Sequence, residues 1–184
     1  LEMFRYNIPV VIILRRNPVG KSILFQDDKA SFFAAEYLIK NKHADILYIG
    51  PVSNILAFIN RKKGFINALQ KYGIDYIGKL LEVKNENELR DGLEKKFKNG
   101  GEFTSVVVGD VYYLPIIIET LKKYDYKIPD EISLINISMT PRELKMFPDL
   151  DIVELDYFEI GRKAAEEMIK SIETGENPIE TVEI

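Results

Sequence analysis

Residues 46–72 read ILYIGPVSNILAFINRKKGFINALQKY. The opening run, Ile46-Leu47-Tyr48-Ile49-Gly50, is short, apolar and closed by glycine, which predicts a strand over 46–50. The period then changes. Phe58, Phe65, Ala68, Leu69 and Tyr72 fall near one face at helical spacing and predict a helix over about 54–72. Strand, short loop and amphipathic helix make one β-α unit, and the chain repeats it in both directions.

Towards the N-terminus, Asp28 is placed to cap a helix running to about residue 41. Before it, 23–26 reads as a short strand, Asn17-Pro18-Val19-Gly20 as a hairpin-like turn, and 8–14 (IPVVIIL) as a strand buried on both faces. Towards the C-terminus, strands are predicted at 79–83, 105–108, 132–137 and 152–155. Helices are predicted at 85–98, opened by the capping-box spacing Asn85 to Glu88, at 112–124, and at 157–173. The last helix carries the stripe Tyr157, Ile160, Gly161, Ala164, Ala165, Met168 and Ile172. Gly175-Glu176-Asn177-Pro178 stops it, and 179–184 closes the chain as a strand. Repeated β-α units with short loops give an α/β fold with parallel, doubly wound sheets. A strand buried on both faces near residue 10 needs neighbours that the preceding residues are too few to supply, so a further segment is expected before Leu1.

Composition removes several classes of function. The 184 residues are 46% hydrophobic and 29% charged, with net charge −4, so the chain as a whole has no electrostatic reason to hold a polyanion. With no cysteine, disulfides, thiolate metal sites and a cysteine nucleophile are excluded. The run 10–14 is far too short to span a bilayer, and Leu1-Glu2-Met3-Phe4-Arg5 does not read as a signal peptide.

The chemical motifs are weak. Gly20-Lys21-Ser22 ends like a phosphate-binding loop, but that loop needs an earlier glycine where Arg15 stands, and a helix where a β-branched strand follows. His43, the single histidine, lies at a helix-to-strand turn and is expected to tie that turn to backbone. Asn136-Ile137-Ser138 matches a glycosylation sequon but falls at the end of a predicted buried strand. No nucleophile triad, dinucleotide fingerprint or metal cluster stands out, so no enzyme, cofactor or metal is expected.

Read in order, several phrases resemble the lac-repressor (LacI/GalR) family and its periplasmic sugar-binding relatives. Ile8-Pro9-Val10-Val11 resembles the strand before the family's lobe crossover. Asp27-Asp28-Lys29-Ala30 with Ala34-Ala35 and Leu38-Ile39 resembles its Asp-Asn segment and helix. Lys42-His43 stands for its Gly-His. Arg61, Gly64-Phe65 and Ala68-Leu69 match its Arg-x-x-Gly-Phe-x-x-Ala-Leu phrase, and Ile128-Pro129-Asp130-Glu131-Ile132-Ser133 its Val-Pro-x-Asp-Ile-Ser phrase. Asp156, Gly161, Arg162 and Ala164-Ala165 match its final helix. Together they cover nearly the whole chain.

The resemblance implies a two-lobed, periplasmic-binding-protein-like effector domain with most of lobe one missing. Residues 1–27 and 155–176 would remain from that N-terminal lobe, and 28–154 with 177–184 would form the C-terminal lobe. It implies a ligand cleft near Arg61, Gly109, Asp110, Ser138 and Leu14 at strand C-terminal ends. Of these, Arg61 alone keeps the family's ligand-gripping type. Leu14, Gly109 and Ser138 stand where the family has Asp, Asn and Asp, and its pocket aromatic is absent at Val83 and Lys84. The effector is therefore expected to be sugar-related yet not a plain neutral hexose, and Arg61→Ala is expected to abolish ligand-induced stabilisation without unfolding the chain.

A homodimer surface is expected at Tyr112, Tyr113 and Leu114, which Pro115 in a first helical turn would turn outward, with Met146 and Phe147 in a loop after Pro141. The function so implied is that of a cytoplasmic, ligand-responsive transcription regulator, a repressor. It would reach operator DNA through an N-terminal helix-turn-helix outside this chain. A periplasmic-type solute-binding protein and a ligand-free dimerisation module are the alternatives.

Overall fold

A computed structural model of the chain describes residues 8–16, 18, 20–98, 101–148, 150–176 and 178–184. The chain's first residues, with Asn17, Val19, Gly100 and Asn177 of the predicted turns, lie outside the described residues. The chain divides into two compact units, one made of Leu1–Gln26 with Asp156–Ile184 and the other of Asp27–Leu155.

The contiguous unit is built on five parallel strands: β3 Ile46–Pro51, β4 Leu80–Val83, β5 Ser105–Val108, β6 Ser133–Ile137 and β7 Asp151–Val153, in the order β4-β3-β5-β6-β7. Alternation along each strand fills two cores. Leu47, Ile49, Val106, Val108 and Leu134 face helices α3 (Glu86–Phe97) and α4 (Leu114–Lys123), which contribute Leu89, Leu93, Phe97, Leu114, Ile117 and Leu121. Ile46, Tyr48, Val107, Ile135 and Ile137 face α1 (Asp27–Lys40) and α2 (Leu56–Lys71), which contribute Ala34, Ala35, Leu38, Phe65, Ala68 and Leu69. The sheet is thus doubly wound, and its strand order reverses between β3 and β5.

Local chemistry sets the element ends. Asn85 Oδ1 accepts from the Glu88 backbone N–H at 3.0 Å to start α3, while the Glu88 carboxylate turns to the Lys84 N–H at 2.8 Å. Gly64 explains the glycine of its phrase: a Cβ there would stand 1.9 Å from the Asp28 carbonyl oxygen, so α1 and α2 meet backbone to backbone. The stretch expected as a loop after Pro141 is a short helix, α5 (Pro141–Met146), held by a capping box between Thr140 and Glu143 with proline in its first turn.

The other unit pairs β1 (Val11–Ile13), β2 (Lys21–Leu24) and β8 (Thr181–Glu183) in the order β1-β2-β8, with α6 (Tyr157–Thr174) packed on β1 and β2. Four expectations are corrected here. The link from β1 to β2 is no hairpin, because the two strands run parallel, with Val11 opposite Lys21. Among the described residues β1 pairs with β2 alone, and Ile8 and Ile13 are exposed, so it is not buried on both faces. Residues 181–183 pair with β2, Ser22 opposite Thr181, so the closing strand belongs with this unit and not with 28–154. The helix stripe is also narrower: Ile160 is buried, Ala164 and Met168 are half-buried, and Tyr157, Gly161, Ala165 and Ile172 are exposed. Lys21, the lysine of the phosphate-loop look-alike, is buried in β2 and ion-paired with Glu167 and, at 3.4 Å, with Glu180.

Candidate functional site

In an open parallel sheet the crevice forms at the C-terminal ends of the strands where the order reverses, here at β3 and β5. Glycine stands at both ends: Gly50 is the last residue but one of β3, and Gly109 directly follows β5. The strands stay paired to that point, the Gly109 N–H donating to the Ile49 carbonyl at 2.8 Å. A Cβ on Gly50 would lie 2.7 Å from the Tyr48 ring and hydroxyl, and one on Gly109 2.4 Å from the hydroxyl. The two glycines thus make room for the Tyr48 phenol, which leans along the sheet towards its C-terminal edge.

Arg61 reaches the same edge from α2. Its Nε donates to Asp27 Oδ1 at 2.8 Å, and its Nη1 donates to the Gly109 carbonyl at 2.8 Å. Both side chains of the ion pair are close to nine-tenths buried. The guanidinium carbon also stands 5.7 Å from the Phe58 ring centre, within cation–π range. A guanidinium has five N–H bonds, so the Asp27 and Gly109 contacts leave donors to spare. Lys62 and Glu82 pair nearby at 2.9 Å. Burial holds the Tyr48 phenol well above the usual tyrosine range; Arg61 opposes that rise, while Glu82, Asp110 and Asp27 add to it. Tyr48 therefore remains a neutral O–H within the fields of Arg61 and three carboxylates.

The sequence-derived positions separate as follows. Arg61 and Gly109 are in direct contact. Asp110 follows Gly109 and accepts from the Tyr112 N–H at 3.1 Å, capping the single 3-10 turn Val111–Tyr113. Ser138 directly follows β6, the neighbour of β5, with φ of 68°; its N–H donates to the Val153 carbonyl at 2.9 Å and its carbonyl accepts from Asn136 Nδ2 at 2.8 Å. Leu14 belongs to the other unit, where it directly follows β1 at φ 62° and is exposed. A left-handed backbone in a residue other than glycine costs roughly 1–2 kcal/mol, and two of the five positions carry it.

Two site residues escaped the sequence reading. Asp27 was read only as part of a phrase, and Tyr48 only as part of a strand. The available signal was a single phenol in an aliphatic run closed by glycine. Tyr112 and Tyr113 line a depression of about 480 Å³ with Lys84, Asn85, Glu86 and Asn87.

The dimer expectation needs correction. Leu114 is 0% and Tyr113 6% exposed, both packed in the α3–α4 core, and Phe147 packs against that core from outside. Pro115 does open a helix, but the preceding 3-10 turn directs these side chains inward. Tyr112 and Met146, each 62% exposed, remain at the surface. His43 bonds side chains and not backbone, with Nδ1 2.9 Å from Thr104 Oγ1 and Nε2 3.4 Å from Ser133 Oγ. Asn136 of the sequon is fully buried. Among the described residues no helix is long and apolar enough to cross a membrane.

Residues 35–184 match the family model described as a periplasmic binding protein-like domain. The chain is 24% identical over 181 residues to a probable HTH-type transcriptional repressor, ExuR, of Bacillus subtilis, covering 96% of this chain and 54% of that protein. It therefore spans about half the length of this curated relative. Among solved structures, a regulatory protein of the LacI family from Chloroflexus aggregans superposes with a TM-score of 0.85 at 18% identity, covering 99% of this chain and 67% of that one. A LacI family transcriptional regulator from Enterococcus faecium, with bound ribose, gives 0.81 at 18% identity, covering 99% and 68%.

Proposed function

This chain belongs to the periplasmic binding protein-like family, and from that premise we propose that it is the effector-sensing region of a ligand-responsive transcription regulator, a cytoplasmic repressor that works as a homodimer. Its curated relative is named a repressor, and the solved structures it resembles are named as LacI-family regulators. Operator DNA would be held by a helix-turn-helix outside these residues, since the net charge of −4 offers no grip on a polyanion. The effector is a small polar, sugar-related molecule taken at the C-terminal edge of the five-stranded sheet.

One observation carries the reading: Arg61 is buried at the strand-order switch point, fixed by Asp27 and the Gly109 carbonyl, with donors left over. A ligand that engages those donors better in one state of the protein than in another shifts the balance between the states by that difference.

The test is thermal stability in the presence of D-ribose, D-galactose, D-gluconate and D-glucuronate at millimolar concentration. At least one is expected to raise the melting temperature of the wild type. Arg61→Lys, which keeps a cation beside Asp27 but loses the fork, is expected to lose that rise. Arg61→Ala is a poor choice, because it would strand the Asp27 carboxylate in a nearly buried site. An undiminished rise in Arg61→Lys would remove Arg61 from the site, and a wild type unmoved by all four compounds would refute the effector reading.

A further inference from the structure

Tyr48 is 1% exposed, yet nothing among the described residues hydrogen-bonds its hydroxyl. Three other polar side-chain atoms are fully enclosed without a partner: Ser31 Oγ, Ser105 Oγ and Asn136 Oδ1. Tyr48 Oη is not one of them, so the little surface that this residue keeps includes its hydroxyl. Packing gives no reason for that oxygen. The ring already lies 5.4 Å from Phe65 within the α1–α2 core, and phenylalanine would fill the same space without an oxygen to desolvate.

The surroundings of the hydroxyl are specific. It stands where the side chain of residue 109 would begin, 2.4 Å from that ideal Cβ, and over Gly50 at 2.7 Å. The carbonyl of the same Gly109 holds Arg61. The oxygen that the chain omits at position 109 is thus brought from the neighbouring strand. A neutral phenol both donates and accepts, whereas Arg61 only donates and the nearby carboxylates only accept. A group of that versatility matches an alcohol, which also does both.

Resting on the effector reading above, we propose that Tyr48 is a specificity residue of this site: its hydroxyl takes the place vacated at Gly109 and bonds a hydroxyl group of a polyhydroxylated effector beside Arg61. The loss counted at Gly109 from the sequence is then made good from β3, and the effector class narrows to polyols and sugars.

Two experiments on the full chain decide it. The first needs no ligand. Gly109 has no left-handed backbone, and the three atoms nearest to an alanine Cβ there all belong to the Tyr48 phenol. Gly109→Ala is expected to lower the melting temperature in the wild type and to cost markedly less in Tyr48→Leu. Additive effects would overturn the shared-space argument. Tyr48→Phe is expected to melt with the wild type; a drop would show that the hydroxyl already has a protein partner.

The second uses the same four compounds in calorimetric titration. For whichever stabilises the wild type, Tyr48→Phe should bind about three- to tenfold more weakly, the worth of one hydrogen bond between neutral groups. Equal affinities would overturn the role of Tyr48 and leave the effector reading standing. No response from the wild type to any compound would overturn both.

Discussion

Replacing Arg61 by methionine is the sharpest test of the site's architecture, because it keeps the apolar stem and removes only the guanidinium. The lost partners are the Asp27 carboxylate and the Gly109 carbonyl, each at 2.8 Å. Breaking a buried ion pair from one side costs roughly 3–5 kcal/mol, most of it the desolvation of the charge left behind. Asp27 lies in the first turn of α1, where the partial positive charge of the helix end returns about 0.5–1 kcal/mol to a carboxylate. A net loss of about 3 kcal/mol follows. At roughly 2–4 °C per kcal/mol for a chain of this size, melting followed by circular dichroism should fall by about 6–12 °C. The double variant Arg61→Met with Asp27→Asn should recover part of that loss, since no charge is then stranded. High salt should change little, because a buried pair is poorly screened. A fall of less than about 3 °C, or one that disappears in high salt, would mean that the pair is solvated, and the switch-point site would lose its anchor.

Three further outcomes are expected. Lys71, Tyr72 and Lys40 hold the Glu36 carboxyl down to about 2, so its contribution is complete above the ordinary value of 4.5 and is lost as pH falls from there towards 2. Urea midpoints of the wild type and Glu36→Gln should therefore differ at pH 7 and converge by about pH 2, whereas a gap independent of pH would exclude the triad as its source. Gly64→Ala should destabilise by at least about 2 kcal/mol in urea titration, because its Cβ meets the Asp28 backbone and not a yielding side chain; a neutral result would mean that α1 and α2 are not in backbone contact. Leu114→Ala should lower stability by roughly 2–5 kcal/mol without altering sedimentation, while Tyr112→Ser with Met146→Ser should weaken self-association and leave the far-ultraviolet spectrum unchanged. Association that responds to Leu114 and ignores the surface pair would reverse that assignment.

The contrast between what the sequence disclosed and what it withheld follows physical range. Local signals read well. The stretch 46–72 resolves into β3 and α2, Asn85 caps α3 as its spacing indicates, and 105–108 is β5 to the residue. Thr140-Pro141-Arg142-Glu143 carries a helix start that was there to be read. Non-local pairing did not read. Nothing around Thr181 says that its partner is Ser22, and nothing in IPVVIIL says that its outer edge has no strand among the described residues. The site divides along the same line. Arg61 was visible through the resemblance alone, because Gly64-Phe65 and Ala68-Leu69 continue the family's phrase in one local stretch. Asp27 and Tyr48 become site residues only when three strand ends and two helices converge. Leu114 was misplaced because proline at 115 marks a helix start but not the direction in which the residues before it point.

The strand β2 lies between β1 and β8, and the whole of Asp27–Leu155 intervenes in sequence between β2 and its second neighbour. This orders events on the ribosome. The contiguous unit has all its strands once residue 155 has emerged, and its pairings join segments one β-α step apart, or two for β3 with β5. The discontinuous unit cannot complete its sheet until α6 and residues 181–183 follow. By then the intervening segment is folded and holds its own two ends at a fixed separation, so the closure entropy of a long loose loop need not be met. Until residues 181–183 emerge β2 has one edge unfilled, and in that interval the chain is most open to mispairing with a neighbour.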